Sequence, residues 1–178
     1  MGLSVSIEKK FYDNVNMIAS KNPKEQMMLV GGRTVGDSVV IDKNSLKWFS
    51  SKDLIAQDDE SVSIDEGLLV KSIMDISNRG YDSVFMIHSH PCETDFDDYL
   101  YGSLSSQDLR NSKKLYLITQ FKNIKYFDGI STGKNIYFWS LDNEFLKPTQ
   151  VSCYVDGKYM ASRVPGTIQE LVVVVLKK

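Results

Sequence analysis

The apolar run Val84–Ile87 passes without a break into His88-Ser89-His90-Pro91. A short unbroken apolar run just after a helix stop reads as a buried strand. Residues i and i+2 of a strand face the same way, so both imidazoles can aim at one metal ion. These are the only two histidines in the 178-residue chain. Imidazole suits zinc, and an open catalytic zinc site takes about three protein ligands plus a water.

The elements around this strand follow from periodicity. Ile7, Phe11, Val15 and Ile18 recur at helical spacing, which predicts a helix over residues 6–20, ended by Lys21-Asn22-Pro23. Met27–Val30 reads as a strand broken by Gly31-Gly32, with Val35–Ile41 as its hairpin partner. Residues 42–62 are polar, but Trp48, Phe49, Leu54 and Ile55 call for at least one packed strand. Ile64–Asn78 has one apolar stripe (Leu68, Leu69, Ile73, Ile76) and acids in its first turn, which predicts a helix stopped by Arg79-Gly80. Residues 92–104 read as a loop and Ser105–Asn111 as a helix start. Leu115–Thr119, Ile136–Leu141 and Leu171–Leu176 read as strands. Strands mixed with two or three helices predict one layered α/β domain over residues 1–178.

Composition narrows the function classes. A formal net charge of -2 offers no basic field for nucleic acid. Cys92 and Cys153 form no CxxC pair, which excludes a four-thiolate site and suits two reduced thiols in the cytoplasm. Residues 1–10 carry no apolar core of signal-peptide type, and the longest apolar run, Leu171–Leu176, is too short to span a bilayer. The expectation is a cytoplasmic protein with no membrane partner and an open oligomeric state.

A third ligand must come from Cys, Asp or Glu, and Ser105-Ser106-Gln107-Asp108 offers one. At a helix start Ser105 and Asp108 share a face, so Asp108 could bind metal with the Ser105 hydroxyl beside it. The same spacing is also that of a helix N-cap. A carboxylate near the metal would complete the set by moving a proton from an activated water.

With Glu25 ahead of an apolar strand, then His88-Ser89-His90-Pro91, then Ser105–Asp108, the chain resembles the JAMM (MPN-plus, JAB1-type) zinc metalloproteases over roughly residues 3–141. The resemblance implies a mixed central sheet flanked by helices, with cytidine-deaminase-like layering, and leaves residues 142–178 as a C-terminal strand extension. It implies zinc held by His88, His90 and Asp108. It implies Glu25 as general base and Ser105 as a support for the oxyanion. The reaction implied is hydrolysis of an amide or isopeptide bond, often after the C-terminal glycine of a ubiquitin-like or sulfur-carrier protein, which makes such a protein or its conjugate the substrate partner.

The alternative is a non-catalytic MPN-type scaffold with a decayed site, against which the intact motif residues count. Barrel amidohydrolases need further histidines. A zinc deaminase needs His-x-Glu and Pro-Cys-x-x-Cys, which this chain lacks. Cys92 has no third histidine to activate it as a nucleophile.

Two features depart from the family pattern. Met28 stands where glycine is usual, and thirteen residues, 92–104, separate the HxHP proline from Ser105. That insert carries Glu93, Asp95, Asp97, Asp98, Tyr99 and Tyr101, so it is expected to touch substrate at the rim of the site. Shortening it should reduce turnover more than zinc binding; unchanged turnover in the shortened protein would defeat this expectation.

Overall fold

The computed structural model describes residues 3–22, 24–50, 52–57, 62–90, 102–141 and 148–160. Among these residues the elements run β1 (Ser4–Ile7), α1 (Lys9–Lys21), β2 (Met27–Val35), β3 (Ser38–Ile41), β4 (Lys47–Trp48), β5 (Leu54–Gln57), β6 (Val62–Ile64), α2 (Glu66–Asn78) and β7 (Ser83–Ser89). They continue with α3 (Ser106–Gln120), β8 (Lys125–Ser131), β9 (Ile136–Leu141), β10 (Pro148–Val155) and β11 (Lys158–Met160).

The layered, helix-flanked α/β sheet of JAMM/MPN type expected above is not what forms. The sheet runs β1-β3-β2-β7-β8-β9-β10, and β10 then pairs with β1, which closes a seven-stranded barrel. Closure depends on two strands that periodicity did not reveal. β1 lies parallel to both β3 and β10, with Val5 opposite Val39 on one side and Cys153 on the other. Its four residues were assigned in part to the first helix, which instead starts at Lys9. β10 lies beyond residue 141, so the span that carries the motif does not complete the fold.

The barrel wall has an inner and an outer apolar face because side chains alternate along a strand. Inside, Val5, Ile7, Val30, Val39, Phe85, Ile87, Phe127, Phe138 and Val151 pack with Phe11, Tyr12 and Val15 of α1. A barrel this narrow is filled by its own side chains. Outside, Leu29, Val84, Met86 and Tyr126 pack against Leu69, Ile73 and Ile76 of α2 and Leu115 and Tyr116 of α3. β7 is therefore buried at all seven positions. It is parallel to β8, and α3 lies in the crossover between them, the connection that parallel neighbours require.

Other expectations are corrected in detail. Gly31-Gly32 does not break a strand; β2 runs through both to Val35 and turns at Gly36, where φ is +59°. The glycines are needed for closeness: a Cβ on Gly31 would lie 2.8 Å from Ile76 Cγ2 and from the Tyr81 ring. Leu115–Thr119 is not a strand but lies in the C-terminal half of α3, whose buried residues Ser112, Leu115, Tyr116 and Thr119 fall on one helical stripe. The second helix starts at Glu66, with Asp65 capping it by accepting a 2.8 Å hydrogen bond from Leu68 N–H. The strand expected at Leu171–Leu176 lies outside the described residues. No helix among the described residues is long and apolar enough to cross a membrane.

Gly31→Ala should lower stability by about 1–3 kcal/mol through overpacking between β2 and α2. The measurement is the urea midpoint at unchanged slope; a wild-type midpoint would show that the contact relaxes freely.

Candidate metal centre

Each group of the expected site is delivered by a different piece of the fold. His88 is the sixth residue of β7 and points to the outer face, on the same side as Met86. His90 follows one residue past the strand, its backbone N–H donating to Ser131 O at 2.9 Å. Glu25 lies two residues before β2. Ser89, between the histidines, secures that approach: its N–H donates to Gln26 O at 2.9 Å, and its hydroxyl accepts from Gln26 N–H at 2.7 Å.

Asp108 comes from the first turn of α3. Ser105 is the N-cap, not a helical residue: its Oγ accepts from Asp108 N–H at 3.1 Å, and Asp108 Oδ2 accepts from Ser105 N–H at 2.8 Å. This reciprocal capping box holds the carboxyl in one rotamer at a helix N-terminus. The capping and metal-ligand readings of Ser-x-x-Asp are therefore compatible, because the other carboxyl oxygen is left facing His88.

The groups converge. His88 Nε2 lies 3.1 Å from His90 Nε2 and 3.2 Å from Asp108 Oδ1, and His90 Nε2 lies 3.5 Å from Asp108 Oδ2. Ligand atoms about 2.0–2.1 Å from a tetrahedral ion stand roughly 3.3–3.4 Å apart, so this spacing fits one small cation. His88, His90 and Asp108 thus form a group that could bind a metal ion. Glu25 Oε1 is 3.5 Å from His90 Nε2, and the Glu25 residue is buried.

Burial and charge set the protonation states of the metal-free site. Burial by itself would push His88 down, but the neighbouring carboxyls, Asp108 foremost, outweigh it and raise the imidazole to about 9. Burial would likewise raise Asp108, yet His88, His90 and the Ser105 contact hold its carboxyl well below the usual carboxylate range.

A cleft of ≈ 540 Å³ opens beside the centre, with His88 and Asp108 in its wall together with Leu69, Met86 and Leu115. Two further lining residues, Tyr126 and Asp128, were missed by sequence reasoning because β8 was not recognised as a strand. Their signal was a carboxylate inside the short, mostly apolar run Tyr126–Ile130. Asp128 is buried, which pushes its carboxyl up to about 6, and it accepts a 2.8 Å hydrogen bond from Tyr126 Oη. Pro23, Pro91 and residues 92–101 of the insert, Cys92 among them, lie outside the described residues. Cys153 is buried inside the barrel, and burial pushes its thiol up to about 12, which leaves it inert.

No family model matches the chain, and no curated protein matches it. Among solved structures it is similar to protein DSY2949 from Desulfitobacterium hafniense, determined in solution, at 16% identity and a TM-score of 0.46. The match covers 85% of this chain and 93% of that one. A likeness this slight assigns no function.

The raised His88 gives a pH dependence with a definite sign. In the metal-free protein it contributes stability that is complete below the unfolded value of 6.5 and is lost as pH climbs through about 9. Asp108 contributes in the opposite sense, its share being lost as pH falls below the ordinary carboxylate range. Metal must displace the His88 proton, so Zn2+ affinity should rise by roughly tenfold per pH unit between about pH 6 and 8. Zinc titrations across that range would measure it, and a flat affinity would refute the assignment of His88 as a protonated ligand.

Proposed function

We propose that this protein is a zinc-dependent peptidase or isopeptidase, with His88, His90 and Asp108 as zinc ligands. One observation carries the reading: two imidazole nitrogens and a capped carboxylate stand 3.1–3.5 Å apart, with a buried glutamate beside them. Zinc fits this donor set of two nitrogens and one oxygen, and when bound with an open position it supplies Lewis acidity and a water of pKa about 7.

The chain's own residues supply the rest. Glu25, held in place through Gln26 and Ser89, takes the proton of the attacking water and delivers it to the leaving amine. Water adds to the carbonyl carbon, the C–N bond breaks, and the products are a carboxylate and an amine. Ser105 accepts one hydrogen bond as a cap and its hydroxyl also bonds the Asp108 carboxyl, from which it would turn to donate to the oxyanion. Asp108 and His88 open onto the cleft, so the cleft is the natural approach for an extended peptide segment.

The motif's resemblance to JAMM metalloproteases supplies the substrate class. We take it to be a linkage after the C-terminal glycine of a ubiquitin-like or sulfur-carrier protein, and place the protein in the cytoplasm. That substrate class is read from the motif alone, since the barrel is not the sheet that the resemblance implied.

Glu25→Gln should keep stoichiometric zinc and lose hydrolysis by about 100-fold or more, the usual scale for a missing general base. His90→Ala should lose both. Zinc content by elemental analysis, with cleavage of a panel of modifiers fused through a C-terminal Gly-Gly, reads both effects. Full activity in Glu25→Gln would remove the base assignment, and metal-free wild-type protein would remove the centre.

A further inference from the structure

The centre needs α3 placed to a fraction of an ångström against β7, yet α3 belongs to no sheet. β7 and the Glu25 segment are tied by backbone pairing, Met27 opposite His88 and Gln26 bonded to Ser89. Between Pro91 and Ser105 the chain instead inserts thirteen residues, 92–104. Asp108 must therefore be placed by contacts that α3 and its approach make with the barrel.

Besides the apolar packing of Leu115 and Tyr116, two contacts lie close to the cap among the described residues. Leu104, fully buried, packs with Ile130, Tyr137 and Trp139, and Trp139 Nε1 donates to Gly102 O at 3.2 Å. These fix the chain just before the cap. One turn into the helix, the buried Ser112 hydroxyl donates to the carbonyl oxygen of Asp108 itself at 2.7 Å and shares that proton with the carboxyl of Asp128 on β8. Asp128 in turn accepts from Tyr126 Oη at 2.8 Å. Ser112, Tyr126 and Asp128 are each at most 4% exposed. An apolar side chain would fill the Asp128 position with less desolvation cost, so the polar group makes sense for orientation rather than for stability.

We infer that Ser112, Asp128 and Tyr126 form a buried latch that sets the height and rotation of α3 on the barrel, with Asp128 as the positioning residue that aims the Asp108 carboxyl at His88. The latch acts on the backbone of Asp108 through Ser112, while the Ser105 cap acts on its side chain. Together they leave the ligand little freedom. The inference rests on the metal-centre reading above.

The test uses full-length protein, Zn2+ competition titration and the visible absorption of the Co2+ form. Wild type should bind one Co2+ with the intense band of a four-coordinate site. Asp128→Asn should stay within about threefold of wild-type affinity, because its amide still accepts from Tyr126 and donates to Ser112. Asp128→Ala should bind Zn2+ about 10–100-fold more weakly, with a diminished Co2+ band, at unchanged helix content. If Asp128→Ala does not fold, Tyr126→Phe and Ser112→Ala take its place, each with a loss of about 3–10-fold and an altered Co2+ spectrum. Wild-type affinity and spectrum in Asp128→Ala, or in both substitutes, would overturn the latch. Equal losses in the Asn and Ala variants would also overturn it, since they would assign the effect to charge. Failure of wild type to bind either ion is seen before any variant is made, and would reject the metal centre itself.

Discussion

Burial of β7 on both faces is the constraint from which the rest of the arrangement follows. Phe85 and Ile87 need an interior, and Val84 and Met86 need a cover on the opposite side. The barrel supplies the first and the helices α2 and α3 the second. A strand enclosed in this way has no freedom to slip, because a one-residue shift would send its inner side chains outward. His88 inherits that rigidity. It continues the outward series Val84, Met86, His88 and so emerges where the cover of α3 begins.

α3 reaches the same place by a different route. Its N-terminus needs partners for its free N–H groups, and Ser105 and Asp108 provide them reciprocally. The capping carboxyl has a second oxygen, and the packing of α3 turns that oxygen to His88 at 3.2 Å. A local device for starting a helix thereby offers a carboxylate that could bind a metal ion. The positive end of the helix and the two imidazoles keep Asp108 ionised despite its burial.

The electrostatic consequence is a site with a need for positive charge. Glu25, Asp108 and Asp128 are all buried or nearly so, around two imidazoles. Without a cation, His88 meets part of that need by holding a proton, which is why the carboxyls raise it. A divalent ion meets it more fully and releases the proton in exchange. Asp128, hydrogen-bonded by Tyr126, is the carboxyl that burial pushes toward its neutral form.

Much of the site was legible along the chain because it is made of short-range rules. Two histidines at i and i+2 after a buried strand must face one way, and Ser-x-x-Asp at a helix start must fold back on itself. Glu25 needed the motif's resemblance as well, since a lone acid before a strand says little. The fold was less legible. β1 was lost in the helix beside it, β8 is buried at six successive positions and so does not alternate, and Leu115–Thr119 was read as a strand because Ile118 and Thr119 are β-branched while the cap that starts the helix lies ten or more residues upstream. By itself the sequence determined which groups could face a metal, since side-chain direction within one strand or one helical turn is set by backbone geometry. Only the tertiary structure decided that the sheet closes, through Ser4 pairing with Ser152, and that Asp128 sits behind Asp108. Pairing between distant segments depends on which faces can be buried together, and no local pattern carries that information.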